Sequence, residues 1–251
     1  MALDSQRDFV VFTTNRSGSE WVMSTLNSFE GVSTQGELFL DRPHSAEKQW
    51  DSEFAHPRYI ETRDKGWSLR PFNVFSYLKG LYSQPGKVGF KLMYKQLGAY
   101  PEILPWFIAH RVQVVHLVRR NHLDVMLSYA VKASIGHAHL MVGQKAPDDL
   151  RVELDTGSLI DKMAWLQKQQ DWARRLLRLT GLAHLEVAYE DLVRDPSLFQ
   201  RIGEFLAVEA VGQMPRSELT RIRKGSHREV IGNYEQVRSV LANSEFAGLL
   251  D

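Results

Sequence analysis

Cysteine is absent from this 251-residue chain, which excludes disulfides, thiolate metal sites and a cysteine nucleophile. A dominant charge sign is absent too, since 31 Lys+Arg face 30 Asp+Glu for a formal net charge of +1. Domains whose main partner is nucleic acid carry a large basic excess, so this balance argues against that class. It leaves room for a small anion in a local basic pocket. Long apolar runs are missing as well. The most apolar stretch, residues 103–118, is broken by Pro105, His110, Arg111 and His116, short of the roughly 18 uninterrupted apolar residues that cross a bilayer. Residues 1–8 hold two acids and an arginine and no apolar signal-peptide core. The expectation is a cytoplasmic protein with no transmembrane segment. What is present is ordinary globular composition, 43% hydrophobic and 24% charged, which argues against disorder.

Short β-rich runs alternate with helical periodicity along the chain. Residues 9–13 (FVVFT) read as a strand buried on both faces, followed by the polar turn Thr14–Ser19 and a helix carrying Trp21, Val22, Leu26 and Phe29. Further strands are expected at 31–34, 87–93, 112–118 and 184–188, with helices at 71–82, 99–110, 159–179 and 197–206 and near Tyr234. After residue 118, Asn121 and Asp124 are spaced as an N-cap and its capping-box partner. Residues 41–70 lose all periodicity while holding His44, Trp50, Phe54, His56, Tyr59 and Trp67, an irregular substrate or lid segment. Gly136, Gly143 and Pro147 mark 134–156 as a mobile excursion. The alternation implies one α/β domain over 1–251 with a mainly parallel sheet.

Basic or anion-competent elements occur at three places. The loop Arg16-Ser17-Gly18-Ser19 joins a strand to a helix N-terminus, where unsatisfied N–H groups and the helix dipole favour an anion. It lacks the spacing and lysine of a Walker A loop, Glu20 is an awkward neighbour for an anion unless it points outward, and a plain structural turn is the alternative. Arg120 closes the 112–118 strand, and Ser128 lies two helical turns on; parallel sheets bind ligands beyond such carboxyl ends. Residues 221–228 (RIRKGSHR) are the densest basic run, either a solvated face or part of one convergent anion pocket.

Together these elements resemble the sulfotransferases that use 3′-phosphoadenosine 5′-phosphosulfate (PAPS). Thr14-Asn15-Arg16-Ser17-Gly18-Ser19-Glu20-Trp21 is similar to their 5′-phosphosulfate loop, which commonly has Thr where this chain has Glu20. The segment Arg120 to Tyr129 resembles the 3′-phosphate motif, with Arg120 and Ser128 in the binding positions. Residues 187–196 (VAYEDLVRDP) match the segment whose tyrosine, here Tyr189, lies near adenine, and Arg223-Lys224-Gly225 matches a late element that also reaches the 3′-phosphate. The resemblance implies a P-loop-like three-layer fold, PAPS as donor, adenosine 3′,5′-bisphosphate as product and no metal requirement. His137 and His139 are the nearest approach to a metal-ligand array and read better as solvated or substrate-facing.

Many members take the acceptor's proton with a histidine on a middle strand, but Phe90-Lys91-Leu92-Met93 has Met93 at that place. Gly36-Glu37-Leu38 instead resembles bacterial trehalose and nodulation-factor sulfotransferases, which implies Glu37 as the base, with a turn-capping acid as the alternative. Arg16 and Lys91 are then expected at the transferring group, and Trp21 either stacks on adenine or packs in the core. This subgroup implies a carbohydrate or glycolipid acceptor, with the aromatics of 41–70 stacking on it or forming a lid or a homodimer surface. Phenols, polyketides and small alcohols stay open, as do a kinase and a non-catalytic 3′-phosphonucleotide-binding protein.

Overall fold

The structure, a computed structural model, describes residues 8–41, 56–63, 69–135, 140–141, 150–209, 219–220 and 225–250. Its elements in chain order are β1 (Phe9–Thr13), α1 (Ser19–Asn27), β2 (Val32–Glu37), α2 (Tyr59–Thr62), α3 (Arg70–Leu81), β3 (Lys87–Met93), α4 (Tyr94–Ala99), α5 (Ile103–His110), β4 (Gln113–Val118) and α6 (His122–Ile135). They continue with β5 (Leu140–Met141), α7 (Leu159–Thr180), β6 (His184–Ala188), α8 (Tyr189–Arg194), α9 (Leu198–Leu206), β7 (Leu219–Thr220), α10 (His227–Val230), α11 (Tyr234–Ala242) and a 3-10 turn, Ala247–Leu249. None of the described helices is long and apolar enough to cross a membrane.

The chain divides into two compact units, Met1–Val118 with Ala173–Arg216, and Arg119–Trp172 with Ser217–Asp251. The first is built on a five-stranded, all-parallel sheet of order β2-β3-β1-β4-β6. β1 explains the layering. Its alternate residues Val10 and Phe12 join one buried cluster with α3, α5 and the Ala173–Leu177 turn of α7, while Phe9 and Val11 join a second with α1, α8 and α9. Helices on both faces make every β1 position apolar or small, as parallel sheets require. This is the expected three-layer α/β architecture.

The second unit packs α6, the first part of α7, α10 and α11 around Leu123, Leu127, Met163, Val237 and Leu241. A two-residue antiparallel ladder, β5 with β7, and a bridge between Val152 and Ile231 complete it.

Local chemistry moves several expected boundaries. Within the segment read as helical over 99–110, α4 ends at Ala99, the chain turns at Tyr100 and Pro101, and one helix, α5, runs from Ile103 past Pro105 to His110. β2 runs on to Glu37 past a register shift at Gly36, so that Gln35 faces Phe90 and Glu37 faces Lys91. Such bulges re-aim one side chain next to active sites. Tyr59 is no solvent-facing platform: it is 2% exposed, with its ring 5.4–5.5 Å from Phe39, Tyr77 and Tyr100. Trp50, Phe54, Trp67, His44, His137 and His139 lie outside the described residues. Within the basic stretch, Ser226 and Glu229 form a capping box that starts α10.

The β1–β3 pairing depends on one small residue. Gly89 sits opposite Phe9, and a methyl group there would come within 2.2 Å of the Phe9 ring. Phe9 is fully buried, so the ring has nowhere to withdraw. Gly89→Ala should therefore lower stability by about 1–3 kcal/mol, the usual cost of overpacking a filled core. Urea unfolding measures this, and adding Phe9→Leu should recover part of the loss; an unshifted midpoint for the single variant would refute the close contact.

Candidate functional site

The anion-competent loop leaves the carboxyl end of β1, the central strand, where parallel sheets place their ligands. Its backbone is strained at one point. Arg16 is in the left-handed region at φ 62°, a conformation a non-glycine residue holds at a cost. Ser17 is fully buried, its hydroxyl 2.8 Å from Thr13 Oγ1, which donates to the Leu117 carbonyl at 2.6 Å. The Ser17 side chain thus forms the floor of the loop, and its role toward a ligand passes to the main chain. Gly18, at φ 83°, is the N-cap of α1 without a side-chain cap. The first N–H groups of the helix, from Ser19, Glu20 and Trp21, have no intrahelical acceptor by geometry.

Gly18 is also required by packing. A Cβ there would lie 2.3 and 2.4 Å from two ring carbons of Tyr189, the tyrosine that opens α8. Trp21 stands edge-on to Tyr189 at 5.8 Å and to Phe199 at 5.2 Å. Its indole is half-buried against the α1/α9 side of the core. The loop and the 187–196 segment, 171 residues apart at Gly18 and Tyr189, are therefore one packed unit.

Beside the loop lies a buried cluster of charge. Lys91, on β3, is 3% exposed. Its Nζ donates to Glu20 Oε1 from α1 and lies 3.4 Å from Glu37 Oε1 at the bulged end of β2. Burial, and secondarily the Arg16 guanidinium, pull the ammonium down to about 7; the two carboxylates act in the opposite sense, favouring the charged form. Glu37 is fixed from its other side. The buried Gln96 donates from Nε2 to Glu37 Oε2 at 3.0 Å while accepting the Met93 N–H at 2.8 Å. Gln96, missed in the sequence, holds the carboxylate through the capping box of α4.

The second unit carries the other candidate anion residues. Arg120 is exposed and Ser128 half-buried, one turn beyond Asp124 on α6. Asp124 is the organiser here: its N–H is capped by Asn121 Oδ1 at 2.9 Å, Oδ2 accepts from Arg119 at 3.1 Å, and Oδ1 lies 3.1 Å from His227 Nε2. His227 is 1% exposed and starts α10. The capping relation of Asn121 and Asp124 is thus as the spacing implied, but the carboxylate serves Arg119 and His227. Gly225 is half-buried just before α10, whereas Arg223 and Lys224 lie outside the described residues.

A further polar network crosses the interior of the first unit. His116, fully buried in β4, lies 2.7 Å from Tyr94 Oη through Nε2 and 3.0 Å from Glu186 Oε2 through Nδ1. Arg174 donates to both oxygens of Glu186, at 2.8 and 3.1 Å. A neutral imidazole satisfies all four groups, donating from Nδ1 to Glu186 and accepting the Tyr94 hydroxyl at Nε2. Burial favours that neutral form and lowers His116, while the hydrogen bond from His116 is the largest cause holding Glu186 down at about 2.

No protein-family model matches the chain, and no curated protein matches it either. Solved structures do. A sulfotransferase from Alicyclobacillus acidocaldarius superposes with a TM-score of 0.50 at 13% identity, over 86% of this chain and 86% of that one. Mouse sulfotransferase SULT7A1, complexed with PAP, gives a TM-score of 0.42 at 10% identity, over 95% of this chain and 67% of that one. The fold of the chain is that of the Alicyclobacillus sulfotransferase.

The His116 network sets a pH dependence of stability. A base lowered in the folded state contributes fully above its ordinary value, 6.5 for His116, and that contribution is lost as pH falls below it. For Glu186 the contribution is full above 4.5 and is lost as pH falls toward about 2. Melting temperature should therefore decline from pH 6.5 downward, with a second decline beginning near pH 4.5. In His116→Gln the upper decline should be shallower. Calorimetric scans from pH 8 to 4 decide it, and equal slopes between pH 7 and 5 in the two proteins would rule the network out as its source.

Proposed function

We propose that the chain is a PAPS-dependent sulfotransferase that moves a sulfuryl group to an acceptor hydroxyl, on a carbohydrate or glycolipid. The observation that carries this reading is the packing of Gly18 against Tyr189. Two segments that separately resemble sulfotransferase motifs, the 5′-phosphosulfate loop and the tyrosine segment assigned to adenine, fit together only because the loop has no side chain at Gly18. The shared fold adds to it.

In this reading Arg16 and the N–H groups of Ser17 to Trp21 bind the donor's phosphosulfate end. Helix dipole and guanidinium charge are suited to that end, and such positioning with charge stabilisation is most of what group transfer of this kind needs. Tyr189 lies against the adenine. Arg120 and Ser128, with Arg223, Lys224 and Gly225, take the 3′-phosphate. Glu37 accepts the proton of the attacking hydroxyl as the new oxygen–sulfur bond forms. The sulfur–oxygen bond to the 5′-phosphate breaks, and its electron pair leaves on adenosine 3′,5′-bisphosphate. Gln96 keeps the Glu37 carboxylate aimed, and Lys91 offers positive charge to the transferring group. The carbohydrate class rests on the likeness of Gly36-Glu37-Leu38 to the enzymes that use a glutamate base.

Calorimetric titration in EDTA should show adenosine 3′,5′-bisphosphate binding at least tenfold tighter than AMP or ATP; equal affinities would remove the reading. A hydrogen bond to a charged group contributes about 1.5–3 kcal/mol, so Arg120→Ala should weaken the bisphosphate roughly 10- to 150-fold and leave AMP nearly unchanged. Glu37→Gln should keep nucleotide binding and lose turnover by about 10²–10⁴, the span of general-base contributions. Full turnover in that variant would discard Glu37 as the base. A non-catalytic nucleotide-binding protein would bind as described and transfer nothing to any hydroxyl in a labelled-PAPS screen.

A further inference from the structure

Glu20 stands where the resembled loop commonly has threonine, and its side chain does not point outward. It occupies the second position of α1, within the turn where a helix N-terminus attracts negative charge. Its carboxylate is paired with Lys91, the most deeply buried cation near the loop. The two features that make this corner an anion site, an uncapped helix start and a buried ammonium, are both answered by one carboxylate of the chain itself. Among the described residues, Glu20 and Glu37 bring two carboxylates to the Lys91 side chain, and the Arg16 guanidinium acts on the same group.

A corner that already holds two carboxylates is a poor receptor for a phosphosulfate. An incoming anion directed at the N–H groups of residues 19–21 meets the Glu20 carboxylate at short range, and in a half-buried setting that repulsion is weakly screened. Glu37 is not equivalent. It belongs to β2, is held by Gln96 as well as Lys91, and lies outside the loop.

We propose that Glu20 is an internal rival for the donor's 5′ anionic group, which has to displace it from Lys91 in order to bind. This rests on the function proposed above, with the loop as the 5′ end of the donor site. The consequence is specificity. A free sulfate or phosphate ion brings too little binding energy to separate Glu20 from Lys91. A nucleotide also anchored through its 3′-phosphate and base brings more, and so gains entry. Glu20 thereby keeps common small anions out of a corner whose main-chain geometry would otherwise accept them.

Two variants test it, Glu20→Gln, which keeps the shape and removes the charge, and Glu20→Thr, the residue of the resembled loop. Titration calorimetry with adenosine 3′,5′-bisphosphate, AMP and adenosine 3′-monophosphate should show both variants binding the two 5′-phosphorylated ligands at least tenfold tighter than wild type. Adenosine 3′-monophosphate, which has no 5′ anion, should change less than twofold. A general loosening of the fold would not produce that selectivity. Unchanged or weakened binding of the 5′-phosphorylated ligands overturns the proposal, as does equal tightening of all three. Thermal-shift titration with sodium sulfate against sodium chloride at matched ionic strength separates this outcome from the functional reading. Sulfate should stabilise the variants and not the wild type even if no preference for 3′-phosphorylated nucleotides is found, whereas sulfate inert toward every form counts against Glu20.

Discussion

A lysine buried in a parallel sheet has to be matched by negative charge, and the first unit is arranged around that requirement. Lys91 enters the interior because β3 is flanked by strands on both sides and covered on both faces. An ammonium there without partners would lose far more in solvation than any packing returns. Its two carboxylates come from different elements, Glu20 from the start of α1 and Glu37 from the end of β2. The bulge at Gly36 is what brings the second within reach, since it sets Glu37 opposite Lys91. One cation thus fixes the relation of the β1–α1 corner, the β2 terminus and the capping box of α4 through Gln96.

A steric constraint ties the same corner to a distant part of the chain. Tyr189 fills the volume a side chain at residue 18 would need, and Trp21 and Phe199 close around it. The loop's left-handed turns at Arg16 and Gly18 are therefore set between the buried Ser17–Thr13–Leu117 hydrogen bonds beneath and an aromatic wall beside them. Under the function proposed above, a loop fixed in this way would present its main-chain donors already aimed before an anion arrives.

The elements that were legible in the sequence are those whose cause is local. β1, α3, β4, β6 and α11 follow from runs and periods that need no distant partner, and the N-cap at Asn121 follows from spacing. The missed features all depend on residues far apart. Glu20 and Lys91 are 71 positions apart, and His116 is 22 from Tyr94 and 70 from Glu186. No period announces such pairs, so Glu20 reads as an obstacle and His116 as a break in an apolar run. Tyr59 misleads for the complementary reason. Arg58, Glu61 and Arg63 lie close to it in the sequence, yet Phe39, Tyr77 and Tyr100, from three other segments, enclose it. The extent of β2 was hidden too, because VSTQGE has neither apolar alternation nor β-branched density past Thr34.

Charge neutrality looks different once the pairs are seen. A total of +1 could arise from charges scattered evenly over a solvated surface, each with little effect on its neighbours. Several of the chain's charges are instead held in close, partly buried pairs. In the first unit Lys91 is matched by Glu20 and Glu37, Arg174 by Glu186, and Arg70 by Glu102. In the second, Asp124 bridges Arg119 and His227. Where a cation is already matched inside the protein, a ligand gains from it only by replacing the partner. The affinity of such a site is a difference between two anions competing for one cation, and the strength of the internal anion sets it as much as the cation does. A count of basic residues, or their density along the sequence, therefore says little about how strongly an anion binds. The geometry of the acids beside them decides it.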